Sequence, residues 1–153
     1  WGINIYRGRG FTNLFSQNTS IGTEAYNEEQ MKLTKETRKI FGDNKIQIAA
    51  TCVRVPIPRA HSESINLEFE RPITPQQVKQ ILAKAPGVRI IDDTARNYFP
   101  MPLEASGQDD VLVGRIRQDI SRDDGRGIEL FVSGDQIRKG AATNAVQIAE
   151  KLV

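Results

Sequence analysis

At 153 residues, with 39% hydrophobic and 26% charged side chains, the chain has the length and balance of one soluble globular domain able to bury a core. Its formal charge of +2 is the small excess of 21 basic over 19 acidic residues mixed along the sequence, which makes no case for nucleic-acid binding. No stretch approaches the roughly 20 apolar residues of a membrane helix, and a single cysteine excludes an internal disulfide.

The start, Trp1-Gly2-Ile3-Asn4, has no initiator Met and no signal-peptide pattern, and reads as that of a processed, excised or partly defined product. Residues 1–23 are the least regular. Trp1, Ile3, Ile5, Tyr6 and Phe11 could supply an edge strand, interrupted by Arg7-Gly8-Arg9-Gly10. Two cations beside aromatics can bind RNA or a phosphate, but four residues read first as a flexible turn or arm. They lack the third glycine and the strand–helix setting of a dinucleotide fingerprint.

Asn27 to Phe41 predicts a helix, with Glu28, Glu29 and Gln30 in its first turn and Lys35, Arg38 and Lys39 later, as the helix dipole favours. Met31, Thr34, Ile40 and Phe41 are its expected buried side. Glu29 and Lys32, three apart, share one face and read as an ordinary surface ion pair or as two ends of a site for a charged molecule. Gly42-Asp43-Asn44 stops the helix, and Lys45 to Ile57 predicts a long strand. Ile65 to Glu70 alternates as a half-buried strand, with the Pro56–Ser64 connection a hairpin-like excursion. Thr74-Pro75 caps and opens a helix to about Lys84, with Val78, Ile81 and Leu82 inward.

Val88 to Ile91 predicts a strand, and Asp92 to Ser106, with Pro100 and Pro102, an ordered loop. Asp110 to Ile120 predicts a strand with Arg115 and Arg117 on one charged face. After the turn Asp123 to Gly127 comes a strand over Ile128–Val132. Gly140 to Val153 predicts a final helix with Ala141, Ala145, Ile148, Ala149 and Leu152 at close-packing positions. The sum is an α+β fold, mostly antiparallel, with helices on one face of the sheet.

The passage Arg54 to His61 carries the strongest chemistry. Pro56 and Pro58 restrict the backbone between a permanent cation suited to carboxylate or phosphate and the chain's one histidine. A lone histidine is more often structural than catalytic. Cys52, in the apolar pattern Ile48-Ala50-Cys52, reads as core rather than as a nucleophile paired with His61. Arg138-Lys139-Gly140 reads as the cover of a helix junction before a phosphate site. One cysteine and one histidine leave a zinc site without its ligand set, so no metal is expected.

Several words, in order, carry a resemblance: Phe11-Thr-Asn-Leu-Phe, Asn27-Glu-Glu-Gln-Met-Lys, Glu36-Thr-Arg-Lys-Ile, Thr51-Cys-Val-Arg-Val-Pro, His61-Ser-Glu, Val113-Gly-Arg-Ile-Arg-Gln-Asp, Gly134-Asp-Gln-Ile-Arg-Lys-Gly-Ala-Ala and Asn144-Ala-Val-Gln-Ile-Ala-Glu. Residues 11–153 resemble the carboxyl-terminal catalytic and dimerisation domain of the aspartate-semialdehyde dehydrogenase family, nearest its plant-like and bacterial branch, after a divergent arm at residues 1–10.

The resemblance implies a glyceraldehyde-3-phosphate-dehydrogenase-like carboxyl-terminal fold and the NADP-dependent interconversion of aspartyl-4-phosphate and aspartate semialdehyde, on the route to lysine, threonine and methionine. It implies that His61 is the acid/base group, that Arg54 binds the substrate carboxylate and Glu29 its amino group, that Lys32 assists phosphate binding, and that Asn144 faces the cofactor. It implies a homodimer or larger complex through the sheet. The family's nucleophile and NADP-binding domain match nothing in these 153 residues, so the chain is expected to be inactive and to hold no NADP tightly alone. A noncatalytic scaffold subunit derived from this domain is the alternative. Nucleic acid and membrane insertion are not expected, and the compartment stays open between cytoplasm and plastid stroma.

Overall fold

The computed structural model describes residues 14–16 and 20–153; the expected edge strand and arm at the start lie outside them. The chain divides into two units, Trp1–Pro56 and Ile57–Val153.

In the first unit, β1 (Phe15–Ser16) pairs antiparallel with β2 (Val53–Arg54), Phe15 opposite Arg54. Helix α1 (Glu28–Phe41) begins at a capping box: the buried Asn27 side chain accepts from the Gln30 N–H, and the Gln30 side chain accepts from the Asn27 N–H, both at 2.9 Å. Gly42 ends the helix in the left-handed conformation at φ 64°, which glycine adopts without a Cβ penalty. The expected inward stripe is cut short. Met31 and Thr34 are half-buried, whereas Ile40 and Phe41 are 79% and 71% exposed. Ile40 lies nine residues beyond Met31, which at about 100° per residue puts it on the opposite side.

The long strand expected over Lys45–Ile57 is ordered as a strand only at β2. A ladder needs a partner, and the helix takes some of the carbonyls instead: Arg38 Nε donates to Ile46 O at 2.9 Å, and Thr34 Oγ1 to Ile48 O at 3.5 Å. The period of two survives without the ladder. Ile46, Ile48, Ala50, Cys52 and Arg54 are half-buried, and the residues between them are exposed.

The second unit is built on a four-stranded sheet in the order β3-β6-β5-β4. Strand β6 (Gly127–Gly134) runs antiparallel to both β3 (His61–Glu68) and β5 (Val111–Gln118), while β4 (Val88–Ile90) lies parallel to β5. One face carries Val113, Ile116, Ile128 and Leu130 against Val78 of helix α2 (Pro75–Leu82), with Ile65, Leu67 and Leu82 packed on them. Thr74 caps α2 as expected, but Ile81 falls on the rim of the inward stripe and is 61% exposed.

On the other face, Leu112, Ala105 and Ala60 form a smaller buried cluster, and Ala105 belongs to a short helix α3 (Pro102–Ala105) inside the expected loop. The chain crosses this face closely: a Cβ on Gly114 would meet Ile91 O at 2.0 Å and Pro100 Cδ at 2.6 Å.

Strand β3 starts at His61, earlier than the alternation predicts, and β2 pairs with β1 instead of with β3. In β5 the register shifts between Gly114 and Arg117, with Arg115 at φ 54°. A bulge inserts one residue and breaks the period of two, which buries Ile116 and seats Arg115 over the Phe99 ring at 5.0 Å. The final helix is shorter than expected: a π-helical turn (Arg138–Ala142) leads into α4 (Thr143–Ala149). Ala141, Ala145, Ile148, Ala149 and Leu152 are exposed, because no element of this unit lies over them.

Candidate functional site

The first unit holds three of the candidates. Glu29 stands in the first turn of α1, half-buried, where free backbone N–H groups favour a negative charge. Lys32 is exposed one turn later. The (i,i+3) ion pair among the described residues is Arg96–Asp93, so Glu29 and Lys32 are not locked to each other. The capping box fixes the orientation of the turn that carries Glu29, and the Asn27 amide also reaches Ser16 Oγ at 3.4 Å. Arg54 is half-buried in β2, on the same side of the extended segment as Ala50 and Cys52.

His61 opens β3 in the second unit, opposite Gly134, with its side chain exposed. Its main chain is held from both directions. The preceding Ala60 is 7% exposed, sits at φ 75°, and donates its N–H to Gln136 Oε1 at 2.7 Å. Ser133 Oγ donates to the His61 carbonyl at 3.2 Å and lies 3.0 Å from Ser62 Oγ.

One residue further out, Arg59 meets the buried Asp135 through Nε at 2.8 Å and a terminal nitrogen at 2.7 Å. Asp135 also accepts from the N–H groups of Gly107 at 2.6 Å, Ile137 at 2.8 Å and Arg138 at 3.1 Å. Burial pushes its carboxyl up, but those three N–H groups and the Arg59 guanidinium outweigh burial and hold it well below the usual carboxylate range.

Sequence reasoning did not single out Ser133, Asp135, Gln136 or Arg59. The signal lay in Gly134-Asp135-Gln136, where an aspartate two residues before a backbone donor is ordinary turn chemistry. That Gln136 reaches back to Ala60 is a tertiary fact no local pattern carries.

Arg138 is paired bidentately with Asp109, at 2.8 Å for both bonds, and Thr143 Oγ1 adds a third contact at 2.7 Å. The Arg138 and Thr143 bonds hold the Asp109 carboxyl down at about 2. Lys139 Nζ donates to Gln147 Oε1 at 2.6 Å. Both cations are thus occupied at the helix junction. Asn144 is exposed in the first turn of α4. No glycine-rich loop joins a strand to a helix among the described residues. No cluster of His, Cys, Asp and Glu suited to a metal occurs among the described residues, and no helix there is long and apolar enough to cross a membrane.

Residues 11–139 match the family model of the semialdehyde dehydrogenase dimerisation domain. An aspartate-semialdehyde dehydrogenase of Synechocystis sp. is 60% identical over 141 residues, covering 92% of this chain and 41% of that protein. The chain therefore spans about two fifths of the length of the curated relatives it matches. Among solved structures, Vibrio cholerae aspartate semialdehyde dehydrogenase II complexed with ASA is similar at TM-score 0.84 and 43% identity, over 90% of this chain and 40% of that one. The Candida albicans enzyme with NADP is similar at TM-score 0.71 and 26% identity, over 92% of this chain and 44% of that one.

Proposed function

The chain belongs to the semialdehyde dehydrogenase family through that family's dimerisation domain, and we propose that it is the substrate-binding and dimerisation part of an NADP-dependent aspartate-semialdehyde dehydrogenase. Residues 11–153 act in this reading as one functional domain, in the cytoplasm or a plastid stroma. The observation that carries it is the joint presence of Glu29, Lys32, Arg54 and His61 in a chain this close to such enzymes.

Glu29 meets the substrate ammonium group, and Arg54 grips the carboxylate with its planar fork. Lys32 draws the phosphate. His61 takes the proton from a cysteine thiol lying outside these 153 residues as the thiolate adds to the aldehyde carbon, and it serves the same proton traffic when the tetrahedral adduct collapses. When bound in the complete enzyme, NADP would supply the hydride acceptor. Among the described residues, the exposed Asn144 amide is the group that would contact it.

The second copy in the assembly docks, in this reading, on the open part of the sheet's second face. Ser62, Ser64 and Asn66 of β3 lie there beside Phe131 and Glu129 of β6, and the β3 residues are exposed. Phe131→Glu is expected to convert dimer to monomer in sedimentation analysis.

The test joins this chain to the part of the Synechocystis relative that lies outside the match, and follows NADP reduction with aspartate semialdehyde and phosphate. The joined protein should turn over and the 153-residue chain alone should not. A folded, dimeric joined protein without turnover would sink the proposal and favour a scaffold.

A further inference from the structure

An exposed imidazole gains no fixed direction from packing, so where His61 points must be set by its main chain. That main chain is unusually constrained. Ala60 holds a left-handed backbone that is strained for a non-glycine residue and persists only where surroundings enforce it. The enforcing groups come from the end of β6: Gln136 Oε1 on the Ala60 N–H, Asp135 on the Arg59 side chain, and Ser133 Oγ on the His61 carbonyl. Asp135 is itself anchored by three backbone N–H groups. Gln136 follows this anchor directly in sequence.

We propose that Gln136 and Asp135 are positioning residues for His61, with Gln136 setting the entry angle of β3 through the Ala60 N–H and Asp135 fixing the loop through Arg59. Neither touches substrate. The consequence for turnover rests on the acid/base reading of His61, whereas the consequence for the imidazole itself does not. A group held slightly out of line with its proton-transfer partner loses rate without losing substrate affinity.

Two measurements separate these consequences. The 153-residue chain contains one histidine, so its ring protons give one pair of signals by NMR. Gln136→Leu should shift or broaden that pair, and Gln136→Glu, which keeps an acceptor for the Ala60 N–H, should leave it near its native place. Unchanged signals in Gln136→Leu overturn the proposal whatever His61 does.

In the joined protein, Gln136→Leu should lower kcat by about tenfold with KM within about twofold, and Gln136→Glu should recover most of the loss. On a His61→Asn background Gln136→Leu should cost nothing further; an equal loss on both backgrounds would mark a merely structural role and contradict positioning. Ala60→Gly is the second variant if Gln136→Leu fails to fold. Glycine accepts this φ without strain, so the fold survives while the entry angle loosens, and kcat should fall with the melting temperature nearly unchanged. If His61→Asn retains native turnover while the ring signals respond to Gln136→Leu, the acid/base reading fails and the positioning geometry stands.

Discussion

The two units differ in what holds them. Every buried hydrophobic residue among those described lies in the second, where Val113, Ile116, Ile128 and Leu130 pack under α2. Among the described residues of the first unit, the one fully buried side chain is polar, the capping Asn27, and the β1–β2 ladder is two residues long on each side. Yet the first unit carries Glu29, Lys32 and Arg54, and the second carries His61. The groups assigned to grip the substrate sit on a frame with no buried hydrophobic residue among those described, and the group assigned to move the proton sits at the edge of a packed sheet. Binding should therefore depend on how the complete enzyme organises the first unit, and chemistry on how the second holds one strand end.

The sharpest way to break that division is to change one group from each side. In the joined protein, His61→Asn should lower kcat by about 10²–10⁴-fold, the usual range for a general acid–base group, with KM little changed. Arg54→Lys keeps the charge and loses the planar fork. It should raise KM by roughly tenfold and act more weakly on kcat, since a hydrogen bond to a charged group contributes about 1.5–3 kcal/mol. If Arg54→Lys lowers kcat as steeply as His61→Asn, the two units do not divide the labour as argued.

Stability gives the next tests. Gly114→Ala should cost the second unit about 3 kcal/mol in urea unfolding, because the new methyl would collide with Ile91 O and Pro100. The corresponding change at Gly42, Gly42→Ala, meets no atom within 4 Å and strains only the backbone, so its cost should stay near 1 kcal/mol. The smallest effect is that of acid. The Asp135 carboxyl is held below its unfolded value, so the stability it supplies is fully present above about pH 4 and is lost as pH falls through its folded value. Urea midpoints of the native second unit should drop from pH 5 to pH 2 more than those of Asp135→Asn; equal slopes would mean the anchor is not felt.

Much of the frame was legible in the sequence. The acidic first turn of α1, the Thr74-Pro75 start of α2 and the Gly42 stop are signals written in local order, and the structure keeps each of them. What was not legible depended on neighbours. The bulge at Arg115 leaves the alternation of β5 unmarked in advance, and the carbonyls of Ile46 and Ile48 found side chains of α1 rather than a strand. The apolar spacing of Ala145, Ile148 and Leu152 predicts a packed face, and in this unit all three are exposed. At the site, the types and spacing of Arg54 and His61 were visible, but the supports of His61 lie more than seventy residues away in sequence.

Hydrogen exchange on the chain alone and on the joined protein tests the contrast between the units most directly. Amides of β5 and β6 should be strongly protected in both, and amides of α1 should exchange quickly in the chain alone and gain protection in the joined protein, since local stability follows buried apolar contact. An α1 as protected in the isolated chain as β6 would contradict the account, because the unit proposed to grip substrate would then need nothing from the rest of the joined protein.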